Sequence, residues 1–394
     1  MAKKIKGTIS VYSNSPGQTT GYGQQTEYLV NRLKRDGADV SAMSNYGLEG
    51  AMSEYKTPYG VIPHYPRGLD PYSNDVGPMH HAHWKAKNPA QPDALITLYD
   101  VWVLKGKAWD SINIGSWVPI DHSGVTPLVE EWLRKDNVTP IAMAPNGVRA
   151  MEAKGIECEY VPHGIDTKVF KPTAQIQGTD VREYMGITGE FLVGMNAANK
   201  ASGLIHRKAF SENLLAFSLF RKRRPDAVLY LHTEPLGMAG GWNLIKMLQA
   251  FDIPKEAVMF PPMVDYKYGM SQQDLAGLYS AMDVLLAPSY GEGFGIPTVE
   301  AQACGTRVIG SNWGATPDLV ADDGWLVDGQ PQWDAGQDAV WTVPSVPSIV
   351  EALELAYQAE RGPSKIAMDF ASQFDVDTVW SKYWLPTLDR LLAK

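Results

Sequence analysis

Short β-branched and apolar runs alternate with helix-like patterns along this whole sequence, and that alternation constrains the fold more than any other feature. It is typical of α/β domains built on parallel sheets. In the first half we predict strands at Thr8–Tyr12, Ala94–Leu98, Trp117–Ile120, Ile141–Met143 and Glu159–Val161. In the second half we predict them at Phe191–Met195, Ala227–His232, Val258–Phe260, Val284–Ala287, Arg307–Gly310 and Trp325–Val327.

The chain has 394 residues, too many for one ordinary core and enough for two α/β domains. Periodicity is lost at Phe170-Lys171-Pro172 and in the polar segment after it, so we predict domains at 1–172 and 173–375. Residues 376–394 carry an amphipathic helix whose aromatic stripe is expected to pack into a core. The segment Gly47–Lys87 is rich in Tyr, Pro and His and is predicted to form long loops.

Charge and hydropathy exclude several classes of protein. The net charge of −9 argues against a nucleic-acid partner, which requires clustered basic residues, and against strong membrane association. No apolar stretch reaches about 18 residues, and the basic N-terminus lacks the apolar run of a secretory signal. We therefore expect a cytoplasmic protein, in which Cys158 and Cys304 are reduced thiols.

A glycine-rich loop follows the predicted strand Val284–Ala287. The loop, Gly291–Gly295, leads into a helix that we expect to begin near Pro297. A helix N-terminus at the carboxyl end of a parallel strand favours anions such as a diphosphate. The free amides expected there are those of Ile296, Thr298 and Val299, and the bracketing carboxylates are Glu292 and Glu300.

The segment Glu292-Gly-Phe-Gly-Ile-Pro-x-x-Glu300-Ala-x-Ala-Cys-Gly resembles the signature of family 4 retaining glycosyltransferases. A second segment, Val161–Pro172, is similar to the family's inter-domain segment. The resemblance implies two Rossmann-like domains facing each other across a cleft (GT-B), with a C-terminal helix crossing back to the first domain. It also implies a nucleotide diphosphate-sugar donor, an acceptor hydroxyl, and no cofactor or metal ion.

The same resemblance assigns roles to individual residues. Glu300 would bind the ribose hydroxyls and Glu292 a sugar hydroxyl. Met263 would contact the base through its backbone. The loop and helix amides that would contact sugar and phosphates are those of Gly293, Phe294, Gly295, Ile296, Thr298 and Val299.

The basic group that would face the diphosphate departs from the family pattern. Met195 stands where relatives commonly carry an arginine after a glycine, but Arg207-Lys208-Ala209 preserves the second basic motif. Lys208 is therefore the candidate for neutralising the leaving diphosphate, with Arg207 as its helper. Lys200 or Arg207 could replace the missing arginine.

Two further features lie in the first half. The predicted strand Thr8–Tyr12 leads into a glycine loop, and the resemblance would place its Gly21 and Gly23 opposite the donor phosphates; a plain β–α turn is the alternative. His122 follows the strand Trp117–Ile120, where relatives often contact the donor sugar near its anomeric carbon. A hydrogen-bonded loop histidine is an equal alternative for His122.

Several alternatives stay open. His80, His81 and His83 could suggest a metal site but lack a carboxylate at clear spacing, so acceptor contact or simple exposure is preferred. A sugar-nucleotide epimerase shares the expected architecture, and the missing arginine at Met195 is compatible with a catalytically weak or inactive sugar-nucleotide-binding protein. The base, the sugar and the acceptor, whether protein, glycan or small molecule, are left undetermined.

Overall fold

The computed structural model describes residues 4–176, 178–201 and 205–394. The chain divides into two compact units. The N-terminal unit comprises the residues up to Ile120, Gly124–Gly164 and Val376–Lys394. The C-terminal unit comprises Asp121–Ser123 and Ile165–Asp375.

The N-terminal unit is built on an eight-stranded sheet in the order β3-β4-β2-β1-β5-β6-β7-β8. Its neighbouring strands are parallel except for the antiparallel pair β3 and β4. The strands are β1 (Thr8–Asn14), β2 (Asp39–Tyr46), β3 (Ser53–Thr57), β4 (Gly60–Tyr65), β5 (Asp93–Leu98), β6 (Ile114–Val118), β7 (Val138–Ala142) and β8 (Glu159–Tyr160). The helices are α1 (Gly21–Arg35), α2 (Gly77–Lys85), α3 (Pro127–Leu133) and α4 (Pro145–Glu152).

Local signals set the ends of α1. The Thr20 side chain caps the helix by accepting a hydrogen bond from the Gly23 amide at 3.0 Å. Gly37, just beyond the last turn, has a φ of 92°, which favours glycine. The buried stripe of the helix includes Leu29 and Leu33, as its periodicity predicts.

Two expectations for this unit are wrong, and one of its strands was not predicted. The segment Gly47–Lys87 is not a set of long loops, because it contains β3, β4 and α2. The strand predicted at Trp117–Ile120 lies at Ile114–Val118, since its register is set by pairing with β5 and β7. The strand β2 carries no prediction at all, although it is the parallel neighbour of β1.

The C-terminal unit is built on a six-stranded parallel sheet in the order β13-β12-β11-β14-β15-β16, the strand order of a Rossmann fold. Two hairpins accompany it, β9 with β10 and β17 with β18. The strands are β9 (Gln175–Ile176), β10 (Thr179–Asp180), β11 (Phe191–Asn196), β12 (Ala227–His232), β13 (Val258–Met259), β14 (Val284–Leu286), β15 (Arg307–Ser311), β16 (Trp325–Val327), β17 (Gly329–Asp334) and β18 (Ala339–Pro344). The helices are α5 (Val181–Tyr184), α6 (Phe210–Arg221), α7 (Leu244–Ala250), α8 (Met263–Tyr268), α9 (Gln272–Ala281), α10 (Ile296–Ala303), α11 (Val346–Gln358) and α12 (Lys365–Ser372).

Each unit has its own hydrophobic core. The sheet of the C-terminal unit packs against α6 and α11 through side chains such as Phe210, Phe217 and Leu353, which are fully buried. The core of the N-terminal unit centres on Tyr12 and Trp109. These cores hold the strands in register, so that polar residues following the strands are presented at the carboxyl edge of each sheet.

The last residues, 376–394, belong to the N-terminal unit. They form α13 (Val376–Val379), a π-helical turn (Trp380–Trp384) and α14 (Leu385–Leu392). Trp380 Nε1 donates to Asp36 Oδ2 at 2.7 Å, and Arg32 pairs with Asp377 at 2.7 Å.

The boundary between the units lies at Gly164/Ile165 rather than at the predicted 172/173. The Ile165 amide donates to the Phe374 carbonyl at 2.9 Å, and Ile165 forms a β-bridge with Asp375. Phe170 is buried with its ring 6.4 Å from that of Tyr279. The segment at the predicted domain boundary therefore packs as part of the C-terminal unit.

In the part of the chain that the structure describes, no helix is both long enough and apolar enough to cross a membrane.

Candidate functional site

The glycine-rich loop connects β14 to α10 at the carboxyl edge of the C-terminal sheet. Gly295 precedes the helix with a φ of 91°, a left-handed conformation that glycine adopts without strain. Pro297 lies in the first turn, so the helix begins where the sequence predicts. A side chain at Gly291 would place its Cβ 1.8 Å from the Asp121 carbonyl oxygen, so the loop needs glycine there too.

A carboxylate and two cations meet on this loop. Lys208 Nζ lies 2.5 Å from Glu292 Oε1, and Arg207 Nη1 lies 3.3 Å from Glu292 Oε2. Arg207 Nη1 also donates to the Gly291 carbonyl at 2.6 Å. Burial raises the pKa of the Glu292 carboxyl, but the charges of Lys208 and Arg207 outweigh burial and hold that pKa below its usual value. Glu292 is therefore an anion with two cationic partners.

The backbone at Ala209 turns the chain from this basic pair into α6. Ala209 has a φ of 50° and a ψ of 38°, a left-handed conformation that costs a non-glycine residue about 1–2 kcal/mol. The turn is tied to the loop, because the Tyr290 amide donates to the Arg207 carbonyl at 2.8 Å. This backbone strain lies directly after Arg207 and Lys208, the two cations of the site.

Glu300 lies in a second cluster, in the second turn of α10. Its carboxylate is buried, with the residue only 4% exposed. Tyr279 Oη donates to Glu300 Oε2 at 3.0 Å, and Asn196 Nδ2 donates to Tyr279 Oη at 2.7 Å. Burial and the Glu300 charge raise the pKa of Tyr279 well above its usual value, so the phenol stays protonated and remains a donor.

His122 belongs to the C-terminal unit and is buried. Its Nδ1 lies 3.0 Å from Asp121 Oδ1, and its Nε2 lies 3.1 Å from Asp334 Oδ2. Its ring stacks on that of Trp341, with 3.5 Å between the centroids. Asp121 Oδ2 lies 3.8 Å from Arg207, which connects His122 to the cations around Glu292.

The remaining donor-site candidates have local roles that the sequence did not reveal. The Thr298 amide is not free for an anion, because it donates to the Gly295 carbonyl at 3.0 Å. Phe294 is buried with its ring 5.6 Å from that of Phe374. Met263 is the first residue of α8 and is 44% exposed. Gly293, Ile296 and Val299 lie in the loop and the first turn of α10, as expected.

Gly21 and Gly23 lie in the N-terminal unit, within the first turn of α1 rather than in a loop before it. The Gly23 amide is occupied by the Thr20 hydroxyl. A Cβ at Gly23 would lie 2.5 Å from the Gln18 carbonyl oxygen, so this glycine permits a close approach of the backbone.

Met195 does not present its side chain to the site. It is buried in the core of the C-terminal unit, and the next residue, Asn196, turns toward Tyr279. Of the two substitutes proposed for the missing arginine, Arg207 contacts Glu292, whereas Lys200 is exposed.

His80, His81 and His83 all lie within α2, not in a loop. His81 is buried between Ser10 Oγ at 2.9 Å and Asp93 Oδ2 at 3.0 Å. His83 Nδ1 lies 2.7 Å from the Tyr65 hydroxyl. Among residues 4–176, 178–201 and 205–394, no group of three or more His, Cys, Asp or Glu side chains is arranged to hold a metal ion.

Sequence reasoning missed four residues of these clusters: Asn196, Tyr279, Asp334 and Trp341. The last two lie on the β17–β18 hairpin, whose strands are joined by residues 335–338. A period-two pattern at Ala339–Val343 and the turn residues before it could have predicted the hairpin. Nothing local predicts that Asp334 would meet His122, 212 positions away in the sequence.

Comparison with known proteins gives a family match for part of the chain. A family model described as "Glycosyl transferases group 1" matches residues 203–340, which contain Arg207, Lys208 and the glycine-rich loop. The D-inositol 3-phosphate glycosyltransferase of Mycobacterium ulcerans (strain Agy99) is 37% identical over 192 residues, covering 46% of this chain and 37% of the relative. That of Paenarthrobacter aurescens (strain TC1) is 30% identical over 177 residues, covering 43% of this chain and 39% of the relative. The chain thus spans less than half the length of these relatives.

Solved structures match nearly the whole chain. Sucrose-phosphate synthase from Thermosynechococcus elongatus has a TM-score of 0.71 at 18% identity, covering 98% of this chain and 99% of that one. Anabaena Alr3699/HepE in complex with UDP and glucose has a TM-score of 0.64 at 17% identity, covering 97% of this chain and 100% of that one. The chain therefore has the GT-B fold of these structures, and the sequence of its residues 203–340 matches the model of the glycosyl transferases group 1 family.

Proposed function

We propose that the protein is a retaining glycosyltransferase that moves a sugar from a nucleotide diphosphate-sugar to an acceptor hydroxyl without a metal ion. The observation that carries this proposal is the placement of Arg207 and Lys208 on Glu292, beside the N-terminus of α10. Two cations and a helix dipole at one sheet edge can stabilise the negative charge of a leaving diphosphate.

The contacts of Glu292 support an exchange of partners when a donor binds. Lys208 and Arg207 are paired with Glu292, and an arriving diphosphate offers them a doubly charged alternative. Glu292 would then be released to accept hydrogen bonds from sugar hydroxyls, the role that the family signature implies. Lys208 and Arg207 are therefore positioned to bind an anion, and Glu292 balances part of their positive charge.

The proposed reaction is front-face substitution at the anomeric carbon. The bond between that carbon and the diphosphate oxygen breaks, and the acceptor oxygen forms a new bond on the same face. The leaving phosphate oxygen takes the acceptor proton, so the enzyme needs no separate pair of acid and base carboxylates. Lys208 and Arg207 would stabilise the departing diphosphate.

Glu300 is proposed to bind the donor ribose. Tyr279 donates to one of its oxygens and thereby fixes the carboxylate. A carboxylate oxygen has two lone pairs, so hydroxyl groups can still bind to Glu300. Its place in the second turn of α10, close to the phosphate-facing end, fits this role.

The comparisons suggest which donor and which acceptor to test first. UDP-glucose is the first donor to try, because a structural neighbour is known in complex with UDP and glucose. A polyol or its phosphate is the first acceptor to try, because the sequence relatives are named D-inositol 3-phosphate glycosyltransferases. Protein and glycan acceptors, and a cytoplasmic location, stay predictions from the sequence.

A donor screen tests the function. We would measure thermal stabilisation by UDP-, GDP- and ADP-sugars and then the release of nucleotide diphosphate with and without acceptor. A ligand at about 100 times its dissociation constant should add roughly 2.7 kcal/mol of stability. Slow donor hydrolysis that Lys208→Ala abolishes supports a transferase. Binding of a sugar nucleotide without any turnover would instead indicate an inactive sugar-nucleotide-binding protein. Conversion of the donor into a nucleotide with an altered sugar would indicate an epimerase.

A further inference from the structure

The β17–β18 hairpin brings two side chains to His122. Asp334, the last residue of β17, accepts from His122 Nε2 at 3.1 Å and from Trp341 Nε1 at 2.9 Å with the same oxygen. Trp341 on β18 lies flat against the imidazole, with an interplanar angle of 28°. The imidazole is thus held at its edge by Asp334 and over its face by Trp341.

We propose, building on the function proposed above, that Asp334 and Trp341 are positioning residues that hold His122 as a fixed cation of the donor site. They act through His122 and have no assigned contact with the substrate. The histidine contributes positive charge, in contrast to the direct sugar contact that the family resemblance implies.

The hydrogen bonds of the ring determine its charge. An ionised carboxylate can only accept, so each ring nitrogen facing one must carry a hydrogen. Both nitrogens of His122 face carboxylates, Asp121 on one side and Asp334 on the other, which makes the ring an imidazolium. Burial by itself would lower the pKa of His122, but the hydrogen bonds and charges of Asp121 and Asp334 outweigh it and raise that pKa.

The imidazolium stands in an alternating series of charges. Asp334 is followed by His122, then by Asp121, and Arg207 lies 3.8 Å from Asp121 and 3.3 Å from Glu292. If His122 became neutral, Asp121 and Asp334 would add uncompensated negative charge near the proposed diphosphate position. The donor would then bind and react less well.

The hairpin is fixed to the site through its backbone as well. The Ser123 amide donates to the Val340 carbonyl at 2.9 Å, and the Thr342 amide donates to the Tyr290 carbonyl at 3.3 Å. Trp341 packs with Tyr290 and Ala209 in a small hydrophobic cluster. These bonds tie β18 to Ser123, the residue after His122, and to Tyr290, the residue before the glycine-rich loop, so the position of Asp334 is set by the fold.

The experiment follows His122 by NMR titration of labelled histidine in the wild-type protein and in Asp334→Asn. We expect a wild-type pKa above the usual histidine value and a lower one in Asp334→Asn. The basic limb of kcat/KM should move to lower pH by about one unit, the lower end of the effect of an adjacent opposite charge. Trp333→Ala is the matched control, because Trp333 is the neighbouring hairpin residue and is 59% exposed; both measurements should stay as in wild type.

A second variant separates positioning from a merely structural role. In a His122→Gln background, Asp334→Asn should cause no further loss of kcat/KM, because Asp334 acts through His122. Additive losses would overturn the proposal, as would an unchanged pH profile in folded Asp334→Asn.

A wild-type His122 pKa below the usual value overturns the proposal even if the variants do not fold. If the wild-type protein turns over no donor, the proposed function fails, and the NMR titration still decides whether Asp334 sets the charge of His122.

Discussion

Replacing Lys208 by alanine leaves Glu292 with one cationic partner instead of two. In the native site Lys208 Nζ lies 2.5 Å from one carboxylate oxygen, and Arg207 lies 3.3 Å from the other. The side chains of Lys208 and Glu292 are only 24% and 15% exposed, so solvent can replace the lost partner only in part. Breaking a fully buried charge pair costs about 3–5 kcal/mol; since Arg207 remains, we expect a loss of about 1–3 kcal/mol in the free energy of unfolding.

The loss of stability in Lys208→Ala should depend on pH in a defined direction. In the native protein the pKa of Glu292 lies below its usual value, so its contribution to stability is present above the unfolded pKa and is lost as pH falls through the folded one. Without Lys208, less positive charge opposes the effect of burial, so the pKa of Glu292 rises. The penalty of Lys208→Ala should therefore be greatest at neutral pH and should shrink as acid protonates Glu292.

Urea unfolding of Lys208→Ala, Glu292→Gln and the double variant measures the effect in a double-mutant cycle. The double variant should be more stable than Lys208→Ala, because the side chain that Glu292→Gln introduces is neutral and no longer needs the charge of Lys208 to balance it. Lys365→Ala is the matched control, since Lys365 pairs with Asp369 on the surface and is 80% exposed; it should cost at most about 0.5 kcal/mol. A Lys208→Ala penalty no larger than the control, or independent of pH, would refute the reasoning.

Three further predictions concern the donor site. Glu300→Ala should weaken binding of the free nucleotide diphosphate by about 1.5–3 kcal/mol; unchanged affinity in calorimetric titration would remove Glu300 from the site. Lys208→Ala should lower kcat about 100- to 1000-fold while Glu300→Ala acts mainly on KM, and steady-state kinetics that show a near-normal kcat for Lys208→Ala would place the phosphate cation elsewhere. Turnover should persist in excess EDTA, and a complete loss that manganese or magnesium restores would contradict a metal-independent mechanism.

The glycine-rich loop was predictable because its signals are local. A buried strand, a glycine in the left-handed conformation at 295 and a proline in the first helical turn follow each other within a few residues. The parallel strands of the C-terminal unit were predictable for the same reason, since each is a short apolar run between turn residues. Such patterns define backbone geometry directly.

The partners of the site residues could not be predicted, because they depend on tertiary packing. Tyr279 reaches Glu300 from α9, and Asp334 reaches His122 from a hairpin that carried no strand prediction. The Gly47–Lys87 segment is rich in Pro, Tyr and His, a composition that is typical of irregular loops. Its turn at Thr57–Gly60 in fact joins two antiparallel strands.

Met195 illustrates the limit of transferring a motif position by position. The missing arginine raised the alternative of an inactive protein, but position 195 is a core position in this chain. The sequence motif gives the position of the backbone, whereas packing decides which side of the strand a residue faces.

The N-terminal unit is discontinuous, and this affects the order in which the protein assembles. Its residues up to Gly164 are synthesised first, and Val376–Lys394, which complete the unit, are synthesised last. Between them the ribosome makes residues 165–375, a stretch of 211 residues (375 − 164). At about 5–20 residues per second, the ribosome needs roughly 10–40 seconds for that stretch. During this interval Asp36 lacks the indole of Trp380, and Gly115 lacks the leucine that packs against it from α14. The nascent N-terminal unit therefore exposes an uncovered face to chaperones and proteases until Val376–Lys394 have left the ribosome.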